Sequence, residues 1–378
     1  WNTYLKVPTW WGAEIKAGYE QNTGINLNPE SDTDSGKGLG YIGVSVPLGP
    51  LSRNFLMDKR RAELRKAQIY QDMALAEQRK MLNKLVYQAL KDYWQWYFDY
   101  HKVRLFEYGY DLAQRRYQAV VNEIEQGFRA PIDSTEVKIT IQQREIDLKR
   151  ARVAQKNARL ILSTHLWNEE GDPVELDAAV APVDLPTTDT SIQTLGELRD
   201  FARNNHPELQ KIRFKQAQLE IGQKLAKENF KPDIRVKYNW LIKGPMAEEN
   251  LNTALLSENY KWGFSFSMPL FLRKERGKLG VTKVKMQDNQ WKLRFKQQQV
   301  INHVEAYYND LSNLSSLLGL QADMVRNYRR MLSGERQKFE NGQSSVFYMN
   351  VREGKLIESE VKLFKMRSEY AKAKAALL

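Results

Sequence analysis

Polar and apolar positions alternate from Asp233 to Trp240: Ile234, Val236, Tyr238 and Trp240 fall on one side, Asp233, Arg235, Lys237 and Asn239 on the other. Period two predicts a strand with two unlike faces. A weaker copy of the pattern runs from Gly12 to Glu20, with Ile15, Ala17 and Tyr19 set against Glu14, Lys16 and Gly18. Return strands follow at Gly40 to Leu48 and at Lys261 to Leu270, the second carrying Trp262, Phe264 and Phe266. The polar stretches between them, Gln21 to Leu39 and Lys243 to Tyr260, read as long loops. The chain therefore predicts two β-hairpins, over 12–48 and 233–270. Pro47 and Pro269 hold equivalent places near their ends.

Each hairpin feeds a proline-free stretch of helical pattern, the first from Ser52 to Gln126 and the second from Arg273 to Asn341. At 1.5 Å per residue each rod would reach about 100 to 110 Å. In the second, Val300, Val304, Tyr307, Leu311, Leu314 and Leu318 step by four and three. In the first, Leu82, Val86, Ala89, Tyr93, Trp96, Tyr100 and Val103 do the same. Such seams predict lengthwise packing against other helices. Glycine at the end of each rod, Gly127 and Gly342, is the expected left-handed cap, after which helices over 132–167 and 347–378 return. The step from Gly127 to Gly342 is shorter by one heptad than the step from Pro47 to Pro269. Either one heptad is missing from a rod, which would leave its faces unrotated, or a strand–helix junction differs in length.

The organisation is thus a twofold internal repeat, 1–167 and 195–378, around a Pro-rich linker over 168–194. Helices over 195–229 precede the second hairpin, with Pro207 and Glu208 suited to a helix start. No such pair precedes the first hairpin, so an amino-terminal helical segment is expected to be missing from this sequence.

Composition narrows the function classes. No apolar run approaches the length of a membrane-crossing helix, and mean hydropathy is −0.62. Barrel strands give only a weak signal in averaged hydropathy, so a membrane barrel stays open. Four strands per chain cannot close a barrel, whereas three chains would supply twelve. Trp10, Trp11, Tyr19, Trp240 and Trp262 lie near strand ends, where an interfacial girdle would sit. The same residues also suit the core of a small soluble sheet. The formal charge of +12 comes from Lys and Arg interspersed with Glu and Gln, a solvated helix face rather than a nucleic-acid patch. There are no cysteines, and His101, His165, His206 and His303 have no metal-ligand spacing. No phosphate-binding loop, nucleophile elbow or dinucleotide fingerprint is present. No catalytic, cofactor-binding or metal-binding residue is therefore expected, and an enzyme is disfavoured.

The chain resembles the TolC-like outer-membrane efflux family over nearly its whole length. The resemblance rests on Asn205-His206-Pro207-Glu208-Leu209 opening a helix that ends at Lys231-Pro232 and a strand, and on Trp262-Gly263 through Met268-Pro269-Leu270-Phe271 leading into a rod. It rests also on the tip Phe339-Glu340-Asn341-Gly342 and the ending Tyr370-Ala371-Lys372-Ala373. It implies a mostly α homotrimer in which a twelve-stranded transmembrane β-barrel continues into a periplasmic α-helical barrel. The implied localisation is the outer membrane of a Gram-negative bacterium. The implied partners are outer-membrane lipid, a periplasmic adaptor and an inner-membrane pump, with no nucleic acid and no cofactor. Carried over by position, Gly127 and Gly342 are the adaptor-docking tips, and Asp133, Phe339 and Tyr348 the periplasmic gate. Phe339 stands where the family often has tyrosine and has no hydroxyl to bond Asp133. Where some members have a ring of aspartates, this chain has Tyr348 and Val351, so an aromatic constriction is expected. The competing reading is a soluble cationic coiled-coil scaffold that binds membrane surfaces or nucleic acid.

Overall fold

A computed structural model describes residues 2–21, 39–184, 194–243 and 260–377. The two expected strand-connecting loops, over 22–38 and 244–259, lie outside the described residues, as does 185–193 of the central linker. The elements in chain order are β1 (Asn2–Pro8), β2 (Glu14–Glu20), β3 (Leu39–Pro47), α1 (Lys59–Glu125), α2 (Pro131–Ser163), α3 (Leu195–Asn205), α4 (Pro207–Glu228), β4 (Asp233–Lys243), β5 (Tyr260–Ser267), α5 (Arg273–Glu340) and α6 (Val346–Leu377). They form two compact units that cut across the sequence repeat. One holds residues 1–77 and 207–296, the other 78–206 and 297–378.

The first unit is built on an antiparallel sheet in the order β1-β2-β3-β4-β5. The two repeats meet at β3 and β4, where Val46 stands opposite Val236 and Val44 opposite Tyr238. The sheet has a fifth strand that the four-strand reading omits. β1 pairs with β2 along its whole length, Leu5 opposite Ala17 and Val7 opposite Ile15. Its alternation is only three positions long, Thr3, Leu5 and Val7, too short a window for period two to stand out.

α1 begins seven residues later than Ser52. Asp58 caps it, accepting from the Arg61 amide at 2.6 Å, and Ser52 instead belongs to a turn. Ser52 Oγ donates to the Ile234 carbonyl at 2.7 Å and accepts from the Ile234 amide at 3.1 Å. Arg53 donates to the carbonyls of Asn229 and Lys231, and Lys231 Nζ reaches back to the Pro50 carbonyl. Each junction places one non-glycine residue in the left-handed region, Asn54 at φ 70° and Leu272 at φ 49°. This resolves the one-heptad offset. The stretch from Pro47 to α1 is eight residues longer than that from Pro269 to α5, and α5 is one residue longer than α1. The rods keep their full heptads, and the difference lies in the junction. Met57, Ala62 and Leu225 form the small core beneath it, with Ile221.

The second unit is helical. Its cores are local clusters along the helices rather than one central core. Trp96, Ala158 and Leu162 pack together with Tyr93 and Leu176, and Val103, Leu148 and Ala151 with Phe106 and Tyr110. Val120, Val137 and Val346 close the end of the unit with Ile124 and Phe339. The first seam is buried at Trp96 and Val103, but Leu82 and Val86 are exposed, as is Tyr307 on the second.

Candidate functional site

In the sheet, side-chain alternation and strand register combine into two opposed surfaces. Residues directly opposite on neighbouring strands share a face. One face carries Leu5, Val7, Ile15, Ala17, Ile42, Val44, Val46, Ile234, Val236, Tyr238, Trp240, Tyr260, Trp262, Phe264 and Phe266 and no charged side chain. The other carries Lys6, Glu14, Lys16, Ser45, Asp233, Arg235, Lys237, Asn239, Lys261 and Ser265. In a water-soluble sheet the apolar face is the buried one. Here the order is inverted. Trp262 is 70% exposed and Phe264 60%, with Leu5, Val7, Ile15 and Phe266 also exposed, whereas Glu14, Gly43 and Ser45 are buried.

The polar side is crowded. A Cβ on Gly43 would lie 1.9 Å from Asn239 Oδ1, and one on Gly18 would meet Tyr4 and Tyr41 at 2.6–2.7 Å. Convergence of side chains on one surface is what a sheet curved toward that surface produces. Charges there are paired: Glu14 meets Lys6 at 2.6 Å and Arg235 at 3.1 Å, and Arg235 Nε donates to Asp233 at 3.0 Å. Aromatics lie toward both ends, Trp10 and Trp11 in the β1–β2 turn and Trp240 opposite Tyr260 near the other end, but Trp262, expected at a strand end, stands opposite Tyr238 at the middle of β4.

Within the helical unit, both rods end in the same geometry. Gly127 has φ 77° and Gly342 φ 73°. In each, the glycine amide bonds three residues back and the next amide five back: Gly127 to Ile124 and Phe128 to Glu123, Gly342 to Phe339 and Gln343 to Lys338. This is the Schellman cap. The residue after the glycine commonly packs on the helix, yet Phe128 is 78% exposed. Ile132, Phe347 and Tyr348 are exposed near it in sequence or at the second turn.

The expected gate residues are partly brought together. Asp133, in the first turn of α2, faces Arg129 at 3.8 Å, and Arg129 Nε also donates to Glu123. The Arg129 guanidinium lies over the Phe339 ring, 5.1 Å from its centroid. Phe339 is therefore joined to Asp133 through a cation. Tyr348 stays outside this set, its ring edge-on to Phe347 at 5.6 Å. Arg129 escaped the sequence reading because it precedes the Ala130 cap of α2 and so falls outside the helix on which a spacing of four would pair it with Asp133. A second missed group lies deeper. Arg116 of α1 donates through both terminal nitrogens to Glu353 of α6 and, at 2.6 Å, to Asn350, which reaches Thr140 of α2. Arg116 and Glu353 are both nearly buried. Arg144 shares that carboxylate's field, and burial pushes its guanidinium below the usual value, with Glu353 and Asp147 opposing.

Among the described residues no cluster of three or more His, Asp or Glu is placed to hold a metal, and no helix is long and apolar enough to cross a membrane. Residues 198–378 match the model of the family described as outer membrane efflux protein. Among solved structures, the outer-membrane channel OprN superposes with a TM-score of 0.72 at 15% identity, over 100% of this chain and 80% of that one. By sequence, residues 198–378 are similar to the outer membrane efflux proteins, and by fold the whole chain is similar to these TolC-like channels. VceC from Vibrio cholerae gives 0.69 at 13% identity, covering 100% of this chain and 86% of its own. The open state of MtrE from Neisseria gonorrhoeae gives 0.68 at 15%, covering 98% and 79%. No curated protein sequence matches the chain. The TolC-like fold accounts for the mixture of long helices and a small antiparallel sheet, and the family match falls on the repeat with the cleaner period-two strand.

Proposed function

We propose that this chain is one protomer of a homotrimeric exit duct in the Gram-negative outer membrane. The sheet contributes to a lipid-embedded barrel and the helices to a periplasmic tube. The tips at Gly127 and Gly342 meet the adaptor of an inner-membrane pump, which supplies the energy while substrate passes down the lumen passively. The observation that carries this reading is the inverted sheet. An all-apolar, aromatic-rich surface left exposed beside a crowded, ion-paired surface suits lipid on one side and water on the other. The eleven residues of β4 rise about 3.3 Å each, and with a tilt of about 45° they would cross roughly 25 Å, the height of a barrel's apolar band. Trp10 and Trp11 at one rim and Trp240 toward the other fit the two interfacial girdles, with Trp262 facing the middle of the apolar band. The exposed seam residues Leu82, Val86 and Tyr307 give neighbouring protomers a packing surface, and exposed Phe128 gives the adaptor an apolar contact.

Extraction of native membranes followed by mass measurement tests the proposal. Detergent-dependent trimers that conduct ions in a planar bilayer are expected. A monomer released without detergent, with binding to anionic surfaces that falls steeply with salt, would establish the cationic scaffold instead.

A further inference from the structure

The sheet holds one strand too many for the wall it is proposed to build. All four pairings are antiparallel, so β1 and β5, at the two edges, run in the same direction. Rotation about a tube axis preserves strand direction. Copies of the five-stranded sheet arranged around an axis would therefore meet β5 against β1 in parallel, breaking the all-antiparallel wall at every junction. β2 runs opposite to β5. Copies that present β2 rather than β1 would meet antiparallel throughout, with an even number of strands, as outer-membrane barrels are built.

We propose that β1 is a displaceable edge cap. It pairs with β2 in the single chain and leaves when β5 of a second copy takes the same edge. This rests on the exit-duct reading. The strand is suited to leaving: all seven of its residues are exposed. Beyond the ladder it is held by Lys6 on Glu14, by the Tyr41 hydroxyl donating to Asn2 at 3.1 Å, and by Lys16 over the Tyr4 ring at 5.3 Å. Glu14 keeps Arg235 when Lys6 goes. The incoming strand is one residue longer than β1, and its apolar row is Tyr260, Trp262, Phe264 and Phe266 where β1 offers Thr3, Leu5 and Val7. It replaces the lost ladder and covers more apolar surface. Until then β1 occupies a strand edge that would otherwise recruit any extended chain.

Residues 1–378 contain no cysteine, so a disulfide lock can be introduced among them. In the full-length protein, Leu5→Cys with Ala17→Cys would join direct partners of β1 and β2. Folded into detergent and vesicles, the reduced form should trimerise and conduct like wild type, and the oxidised form should lose both. Deletion of residues 2–8 should leave trimers and conductance intact. Oxidised protein that assembles as well as reduced protein, or a deletion variant with wild-type helicity but no trimers, would make β1 a permanent wall strand and overturn the proposal. If wild type itself forms no trimers, the exit-duct reading fails instead.

Discussion

Replacing Glu353 by glutamine is the sharpest test of what holds the helical unit closed. The carboxylate is shared by Arg116, which it binds through both terminal nitrogens, and by Arg144, within whose field it lies. Glutamine preserves the shape and removes the charge, leaving two guanidiniums facing each other where little water reaches. Breaking one side of a buried ion pair costs about 3–5 kcal/mol. Taking the lower figure and about 1.36 kcal/mol per decade, conformers in which α6 has parted from α1 should be populated about a hundredfold more. Arg116→Gln should cost less, because Glu353 keeps Arg144. Hydrogen exchange over the first half of α6 reads the separation directly, and the open probability in a planar bilayer reads its consequence. The reasoning is refuted if Glu353→Gln leaves α6 protection at the wild-type level, or if Arg116→Gln proves the more damaging of the two.

The other expectations concern the tips and one imidazole. Gly127→Ala and Gly342→Ala should each cost about 1–2 kcal/mol through the left-handed backbone alone, since an added Cβ meets nothing within 4 Å. Faster exchange confined to the last turns of α1 and α5 would show it, and unchanged protection would argue against the cap. Arg129→Leu should raise spontaneous opening by releasing Glu123, Asp133 and Phe339 together, whereas Phe339→Tyr should not, because the ring beneath the guanidinium remains. Equal open probabilities for both variants would rule out Arg129 as the link. Tyr348→Ala should increase single-channel conductance if Tyr348 narrows the proposed duct, and an unchanged value would count against that role. His101 lies flat on Phe364 with Asp184 at 3.6 Å, and burial lowers its pKa from 6.5, opposed by Asp184 and reinforced by Arg367 and Arg104. The unfolded chain then binds more protons than the folded one between the lowered value and 6.5, so stability present above 6.5 is lost as pH falls through that window. His101→Phe should flatten the unfolding midpoint against pH there, and an unaltered slope would assign the dependence to another group.

The features legible in the sequence are those written in a local period. β2 to β5 announce themselves by alternation, and the rods by the lack of proline and the glycine that ends each. Asp58 as the start of α1 is also local, but the apolar pattern that continues back to Leu51 obscures it. Contacts between distant segments cannot be read in this way. Arg116 and Glu353 are 237 residues apart and meet only because the two helical hairpins pack side by side. By position alone Phe339 reads as a lost hydrogen bond, whereas the structure uses its ring as a surface for Arg129. No spacing rule connects a residue of the first tip to one of the second. Composition marks the strand aromatics without choosing between a core and a girdle. The register adds which residues share a face and that the apolar face is the more exposed one.

The pairing of β3 with β4 sets a schedule for the making of the protein. Val46 and Val236 are partners, yet the whole of α1, α2, α3 and α4 lies between them in the chain. At about 5 to 20 residues per second, the second emerges from the ribosome roughly 10 to 40 seconds after the first. During that interval β3 lacks its β4 partner, and only β1, β2 and β3 are available to pair with one another. The five-stranded sheet can therefore be completed only once β5 has emerged, and until then the open edge of β3 has to be kept from pairing with anything else.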